Sequence, residues 1–137
     1  MVDRLTPAQR SRLMARVPSE DTAPEKAVRK LLWSMGLRYR LHAKELPGRP
    51  DIVFRSRKKA IFVHGCFWHR HSGCTRNSLP TTRRAFWRKK LEGNAERDRK
   101  NYRLLRRAGY RVLVIWECEL RRSDRVFARL RRFLELD

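Results

Sequence analysis

Within Cys66–Cys74, C-F-W-H-R-H-S-G-C, two cysteines, two histidines and an aromatic pair crowd into nine residues. So many polar groups in so short a stretch cannot form core, so the segment reads as a loop braced by something other than hydrophobic packing. A metal ion is the simplest brace. Zinc takes four tetrahedral nitrogen or sulfur donors, and Cys66, a loop histidine, Cys74 and the distant Cys118 supply a Cys₃His set. His69 and His71 both lie within reach of Cys66, and spacing does not choose between them. The plainer alternative makes Cys118 a small core residue and the other donors incidental.

A second set of residues suits phosphodiester hydrolysis. That reaction needs a cation to offset charge on the phosphate, a source of hydroxide and an acid for the leaving group. Asp51 follows the rigid turn Pro47-Gly-Arg-Pro50, which can aim a carboxylate without burying it, and hard Mg²⁺ prefers such oxygen donors. His64 and His69 flank the start of the loop and are candidates for proton transfer. Glu25 has a structural role open to it, because Thr22-Ala-Pro-Glu25 spells a capping box.

These residues need a scaffold. The chain has 137 residues, enough for one domain with a modest core. Val28, Leu31, Leu32 and Met35 recur at helical spacing and Gly36 closes that helix. Leu37–Leu41 is expected as a first strand, Asp51–Phe54 as a second, and Ala60–His64 as its hairpin partner. Thr81 or Thr82 should cap a helix through Phe86, Trp87 and Leu91, and Asn94–Ala108 should form another. Arg111–Glu117 is the most apolar strand, which predicts a central place in the sheet. Asp124–Leu136 closes the chain as a helix. The expected class is α/β: a mixed β-sheet flanked by helices, one domain over residues 21–137, preceded by a basic arm over residues 1–20 that orders on DNA.

The charge points to the partner. With 35 Lys and Arg against 14 Asp and Glu, the net charge is +21, a field that repels itself unless a polyanion meets it. Nucleic acid fits better than an anionic membrane, which calls for a basic amphipathic helix with a continuous apolar face. No stretch approaches the roughly 18 apolar residues of a membrane span, and no signal-peptide core opens the chain. Three cysteines, an odd number, argue for thiolates at work in a reducing compartment rather than for a disulfide framework.

Taken together, G-R-P-D at Gly48–Asp51, V-H-G-C-F-W-H-x-H at Val63–His71, F-W at Phe86–Trp87, N-x-E-R-D at Asn94–Asp98 and V-x-W-E-C at Val114–Cys118 resemble the very-short-patch repair (Vsr) endonucleases. The resemblance runs from about Arg10 to about Leu120 in the family's order. It implies a restriction-endonuclease-like fold that nicks 5′ of the T in T:G mismatches left by 5-methylcytosine deamination, using Mg²⁺. Carried over by position, it implies that Asp51 and the Val63 backbone carbonyl hold magnesium. His69 would be the general acid or base, supported by Glu25, His64 and Asp98. Cys66, His71, Cys74 and Cys118 would hold structural zinc, and Phe67, Trp68 and Trp87 would wedge into the DNA stack. A partner of the MutL type, a monomeric state and a cytoplasmic, nucleoid-associated bacterial setting belong to the same expectation. Three features depart from the family pattern. Ser72-Gly73 delays the third zinc ligand by one residue, Val63 stands where Thr is common, and Phe62 and His64 replace the second carboxylate and lysine of many nucleases. Two other readings stand beside this one: a nuclease of the same fold with another target, and a non-catalytic zinc DNA-binding module.

Overall fold

The structure, a computed structural model, describes residues 21–69, 71, 74 and 79–136. The basic arm expected over residues 1–20 lies outside them.

Helix α1 (Ala23–Ser34) begins at the capping box foreseen from sequence. Glu25 N donates to Thr22 Oγ1 at 3.3 Å, and Thr22 N donates to Glu25 Oε2 at 3.2 Å, satisfying two backbone donors that helix starts leave unpaired. Gly36, at φ +75°, ends it. Strands β1 (Arg40–Leu41), β2 (Ile52–Phe54) and β3 (Lys59–His64) follow, then helix α2 (Arg84–Arg107). Strand β4 (Arg111–Trp116), a 3₁₀ segment (Glu117–Arg122) and helix α3 (Ser123–Phe133) complete the order. The sheet runs β1-β2-β3-β4, antiparallel at the first two junctions and parallel between β3 and β4. It is the expected mixed sheet flanked by helices.

Both faces of the sheet are covered. On one face Val28, Leu32, Val126 and Leu130 of α1 and α3 pack on Ile52, Ile61 and Ile115. On the other, Leu105 of α2 packs with Tyr110 on Val53, Ala60 and Phe62. Leu113 and Ile115 of β4 join the first cluster, Val112 and Val114 the second. That explains one correction. Strand β4 is apolar from Val112 to Trp116, but it ends the sheet rather than occupying its centre. A continuous apolar run reports burial of both faces by helices, and it is indifferent to how many strands pair alongside.

Other boundaries also moved. The two helices expected on either side of Gly93 are one helix of 24 residues. Glycine there costs about 1 kcal/mol against alanine, less than the burial of Trp87, Leu91 and Leu105 on one continuous stripe returns. Neither Thr81 nor Thr82 caps it; Arg83, at φ +54°, precedes it without a side-chain cap. The first strand keeps only Arg40–Leu41, because the chain turns at His42, φ +49°. The last helix stops at Phe133, two residues before Glu135 at φ +59°. No helix among the described residues is long and apolar enough to cross a membrane.

Candidate active site and metal centre

The N-terminus of α1, the start of β2, the end of β3 and the middle of α2 meet at one cleft of about 730 Å³. Its lining includes Glu25, Asp51, His64, His69 and Asp98, with Phe67 and Trp68 beside them. These were all singled out from sequence, and the fold brings them together.

Asp51 is set by the turn before it. Gly48 and Arg49 both have positive φ, +77° and +49°, a conformation that glycine adopts without penalty. A Cβ on Gly48 would stand 2.9 Å from Asn101 Cβ, so the turn is seated directly on α2. Asp51 Oδ2 then accepts a hydrogen bond from Val63 N at 2.7 Å. Val63 lies two residues past the last β2–β3 pair, Ile52↔Ile61. Because N–H and C=O of a strand residue point to the same side, its carbonyl faces the Asp51 side as well.

Glu25 reaches the same place from α1. It is 1% exposed. Its Oε2 caps the helix and lies 3.3 Å from Arg29 Nη2, but its Oε1 has no hydrogen-bond partner among the described residues. Arg29 also serves Asp21 at 2.6 Å and His42 Nε2 at 3.0 Å. Burial, then the Glu25 carboxyl beside it, push the Asp51 carboxyl up to about 8, while the Val63 N–H works the other way. His42 Nδ1 lies 3.6 Å from Glu25 Oε1, beyond hydrogen-bond distance. Two adjacent carboxyls, one buried and one half-buried, with an oxygen that makes no hydrogen bond among the described residues, fit a hard divalent cation such as Mg²⁺. Glu25 therefore carries the capping role and a place in the cleft at once.

Two histidines complete the cleft. His69 Nδ1 lies 2.6 Å from Asp98 Oδ2, a short charge-assisted contact that keeps the proton on Nδ1 and leaves Nε2 to exchange one. The His64 ring stacks on His69 with centroids 3.7 Å apart and an 11° interplanar angle. Burial, and then the neighbouring His69, hold His64 well below the usual histidine range, so it is neutral at neutral pH.

The sulfur-rich set lies apart from these. One ligand atom from each of Cys66, His71, Cys74 and Cys118 falls within 4.8 Å of the others. Cys66 Sγ and Cys118 Sγ are 3.5 and 3.4 Å from His71 Nδ1. A tetrahedron with Zn–S near 2.3 Å and Zn–N near 2.05 Å has an S···N edge of about 3.6 Å, so the four residues could hold zinc with little adjustment. The choice that spacing left open is made by direction: His69 turns to Asp98, while His71 turns to the cysteines and stacks on Trp116 at 4.2 Å. Cys66 N donates to Glu117 Oε1 at 3.1 Å, tying the loop to the end of β4. Burial pushes the Cys66 thiol up to about 12, so zinc would bind by displacing protons.

Phe67, Trp68 and Trp87 form an edge-to-face trio with centroids 5.2 to 6.2 Å apart. Phe67 and Trp68 are half-buried, whereas Trp87 is 5% exposed and forms the floor beneath them. Lys90 Nζ lies within 6 Å of both tryptophan rings, and Asn94 Nδ2 donates to the Trp68 carbonyl at 3.2 Å. Sequence reasoning passed over Arg29, His42 and Tyr102, and gave Phe86 no role in the site. Phe86 is 43% exposed beside Trp87, with the Arg83 guanidinium 4.3 Å from its ring centroid. Tyr102 stands one helical turn after Asp98, within the helix expected over Asn94–Ala108, so the spacing was legible in the sequence.

A family model described as DNA mismatch endonuclease Vsr matches residues 2–76. The chain is 52% identical over 135 residues to the type II nicking enzyme V.XorIIP of Xanthomonas oryzae pv. oryzae, covering 98% of each. It is 43% identical over 126 residues to the DNA mismatch endonuclease Vsr of Escherichia coli, covering 92% of this chain and 80% of that one. Among solved structures, the catalytic domain of homing endonuclease I-Bth0305I is similar at a TM-score of 0.58 and 26% identity, covering 82% of this chain and 94% of that one.

Proposed function

The chain belongs to the DNA mismatch endonuclease Vsr family and is a DNA endonuclease, and from that premise we propose that it nicks duplex DNA 5′ of the T in T:G mismatches, with Mg²⁺ in the cleft. The observation that carries this reading is the convergence of Asp51, Glu25 and the His69–Asp98 pair on one cleft beside Phe67 and Trp68. A pure DNA-binding module has no use for buried carboxyls next to an oriented imidazole.

Asp51 and the Val63 carbonyl are the residues we assign to magnesium, with Glu25 Oε1 as the nearby acceptor. When bound, the ion would offset phosphate charge and make water more acidic. His69 gives or takes the proton at Nε2, and Asp98 keeps its ring in register. Phe67 and Trp68, backed by Trp87, enter the stack beside the mismatch. Opening a base step costs a few kcal/mol, least at a mispair, and aromatic stacking returns about 1–3 kcal/mol per base. The wedge thus selects weakly stacked steps. Zinc on Cys66, His71, Cys74 and Cys118 would keep the loop carrying both rings stiff. One nick needs one site, which supports a monomer, and a MutL-type repair protein is the partner we expect in the cell.

The test is cleavage of a panel of duplexes containing each mispair, with matched controls, in Mg²⁺ and in EDTA. Nicking confined to T:G and abolished by EDTA is the expected result. Equal cutting of the matched duplex would overturn the mismatch reading. It would favour instead a nicking enzyme of the same fold with another target, an alternative supported by the relatives named type II nicking enzymes.

A further inference from the structure

Alternation along β4 puts Val112, Val114 and Trp116 on one side of the sheet, and the parallel register sets them against Ala60, Phe62 and His64 of β3. Val112 and Val114 pack into the cluster under α2. Trp116, next in that row, is only half-buried and belongs to neither core cluster. Its neighbours are imidazoles instead. The His71 ring lies flat on the indole, with centroids 4.2 Å apart at 7°. His64 and His69 meet the same indole at steep angles, 60° at 5.5 Å and 66° at 6.5 Å, and they stack on each other at 3.7 Å. Of these four rings, Trp116 is the one that meets the other three.

The two ends of this ring cluster are held by different partners. His71 Nδ1 faces the Sγ atoms of Cys66 and Cys118, so an ion among those donors would fix the plane of its ring, and an indole lying flat against it follows that plane. At the other end, the Asp98 contact at 2.6 Å fixes one atom of the His69 ring. It leaves the ring able to tilt about that atom. The face of His64 and the indole of Trp116 limit the tilt, and His64 itself rests between Phe62, at 5.4 Å, and Trp116. Bulk alone could come from a leucine. A flat ring is what registers one imidazole plane against another.

We propose that Trp116 is a positioning residue for nicking: its indole carries the ring plane of His71 across to the His64–His69 stack, so that the alignment of His69 depends on the zinc loop being filled. The proposal rests on the assignments of zinc to the Cys₃His set and of proton exchange to His69. It gives the metal brace a second route to the chemistry, through packed rings as well as along the backbone from Cys66 to His69.

The experiment compares the full, zinc-loaded wild type with Trp116→Phe and Trp116→Leu. Three quantities are measured: the rate of zinc release to a chromogenic chelator, the single-turnover nicking rate on whichever duplex the wild type cuts fastest, and affinity for that duplex by anisotropy. Trp116→Leu should release zinc about 2–10-fold faster and nick about 2–10-fold more slowly, the share of one aromatic pair, with affinity within about twofold. Trp116→Phe, which keeps a flat ring, should recover most of both losses. A change in zinc release without one in nicking, or the reverse, would overturn the proposal, because the indole would then serve one site and not join two. A phenylalanine variant no better than the leucine one would overturn it too, since flatness would not matter. So would a fall in DNA affinity equal to the fall in rate, which would make Trp116 a docking residue. If Trp116→Leu does not fold, Trp116→Met takes its place with the same expectations. Because the duplex is set by the wild type's own preference, failure of the T:G reading would leave this comparison intact.

Discussion

Asp98→Asn is the sharpest perturbation of the proposed chemistry, because it keeps side-chain volume and removes one charge. In the wild type, Asp98 Oδ2 and His69 Nδ1 are 2.6 Å apart, shorter than an ordinary neutral hydrogen bond. A hydrogen bond to a charged group contributes about 1.5–3 kcal/mol, against about 1 for a neutral one. An asparagine can still accept through its amide oxygen, but it no longer stabilises the imidazolium that forms as His69 takes a proton. If the charge-assisted bond is lost wholly in the transition state, the rate falls by about 10- to 150-fold at 1.36 kcal/mol per decade. The side chains are 27% and 20% exposed, so solvent screening favours the lower half of that range. The assay is the single-turnover nicking rate on a T:G duplex at saturating enzyme and Mg²⁺, with DNA affinity measured in parallel by fluorescence anisotropy. The expected result is a slow variant that binds normally. A rate within twofold of wild type would refute the role given to the pair, and an equal loss of affinity would place Asp98 in docking instead.

Asp51→Asn should abolish nicking while leaving a folded protein. Because Asp51 is held up at about 8, the folded state binds more protons than the unfolded state between about pH 4 and pH 8. The metal-free wild type therefore loses stability as pH rises through that window. Asp51→Asn should remove this component and melt higher at pH 8 by roughly 3–8 °C, for about 1–2 kcal/mol; identical pH–Tm curves would contradict the burial argument. Cys118→Ala should reduce zinc from about one per chain by elemental analysis and lower the melting temperature, and full zinc retention would remove Cys118 from the ligand set. Gly48→Ala meets both a positive φ and Asn101 Cβ at 2.9 Å, so we expect a loss of about 2 kcal/mol by urea denaturation. Nicking should slow as Asp51 is displaced, and a neutral result would show that the turn can relax away from α2.

Residue chemistry and short-range pattern were sufficient for much of this protein. Zinc donors come from few residue types, so Cys66, Cys74 and Cys118 were legible from the sequence, as were the aromatic pair Phe67-Trp68 and the carboxylate behind Gly48. The capping box at Thr22–Glu25 was legible too, since its hydrogen bonds close within one turn. Tertiary structure decided whatever depends on the direction of a side chain or the pairing of distant segments. It turned His69 to Asp98, 29 residues away, set Glu25 beside Asp51 in the cleft, and buried Trp87 beneath its neighbours. It set β4 at the end of the sheet and brought Tyr102 to His64, 38 residues apart. The physical reason is common to all of these. Periodicity and caps encode which side of a segment is buried, whereas the contacts a buried side makes are fixed by strand register and helix packing, which no single segment carries.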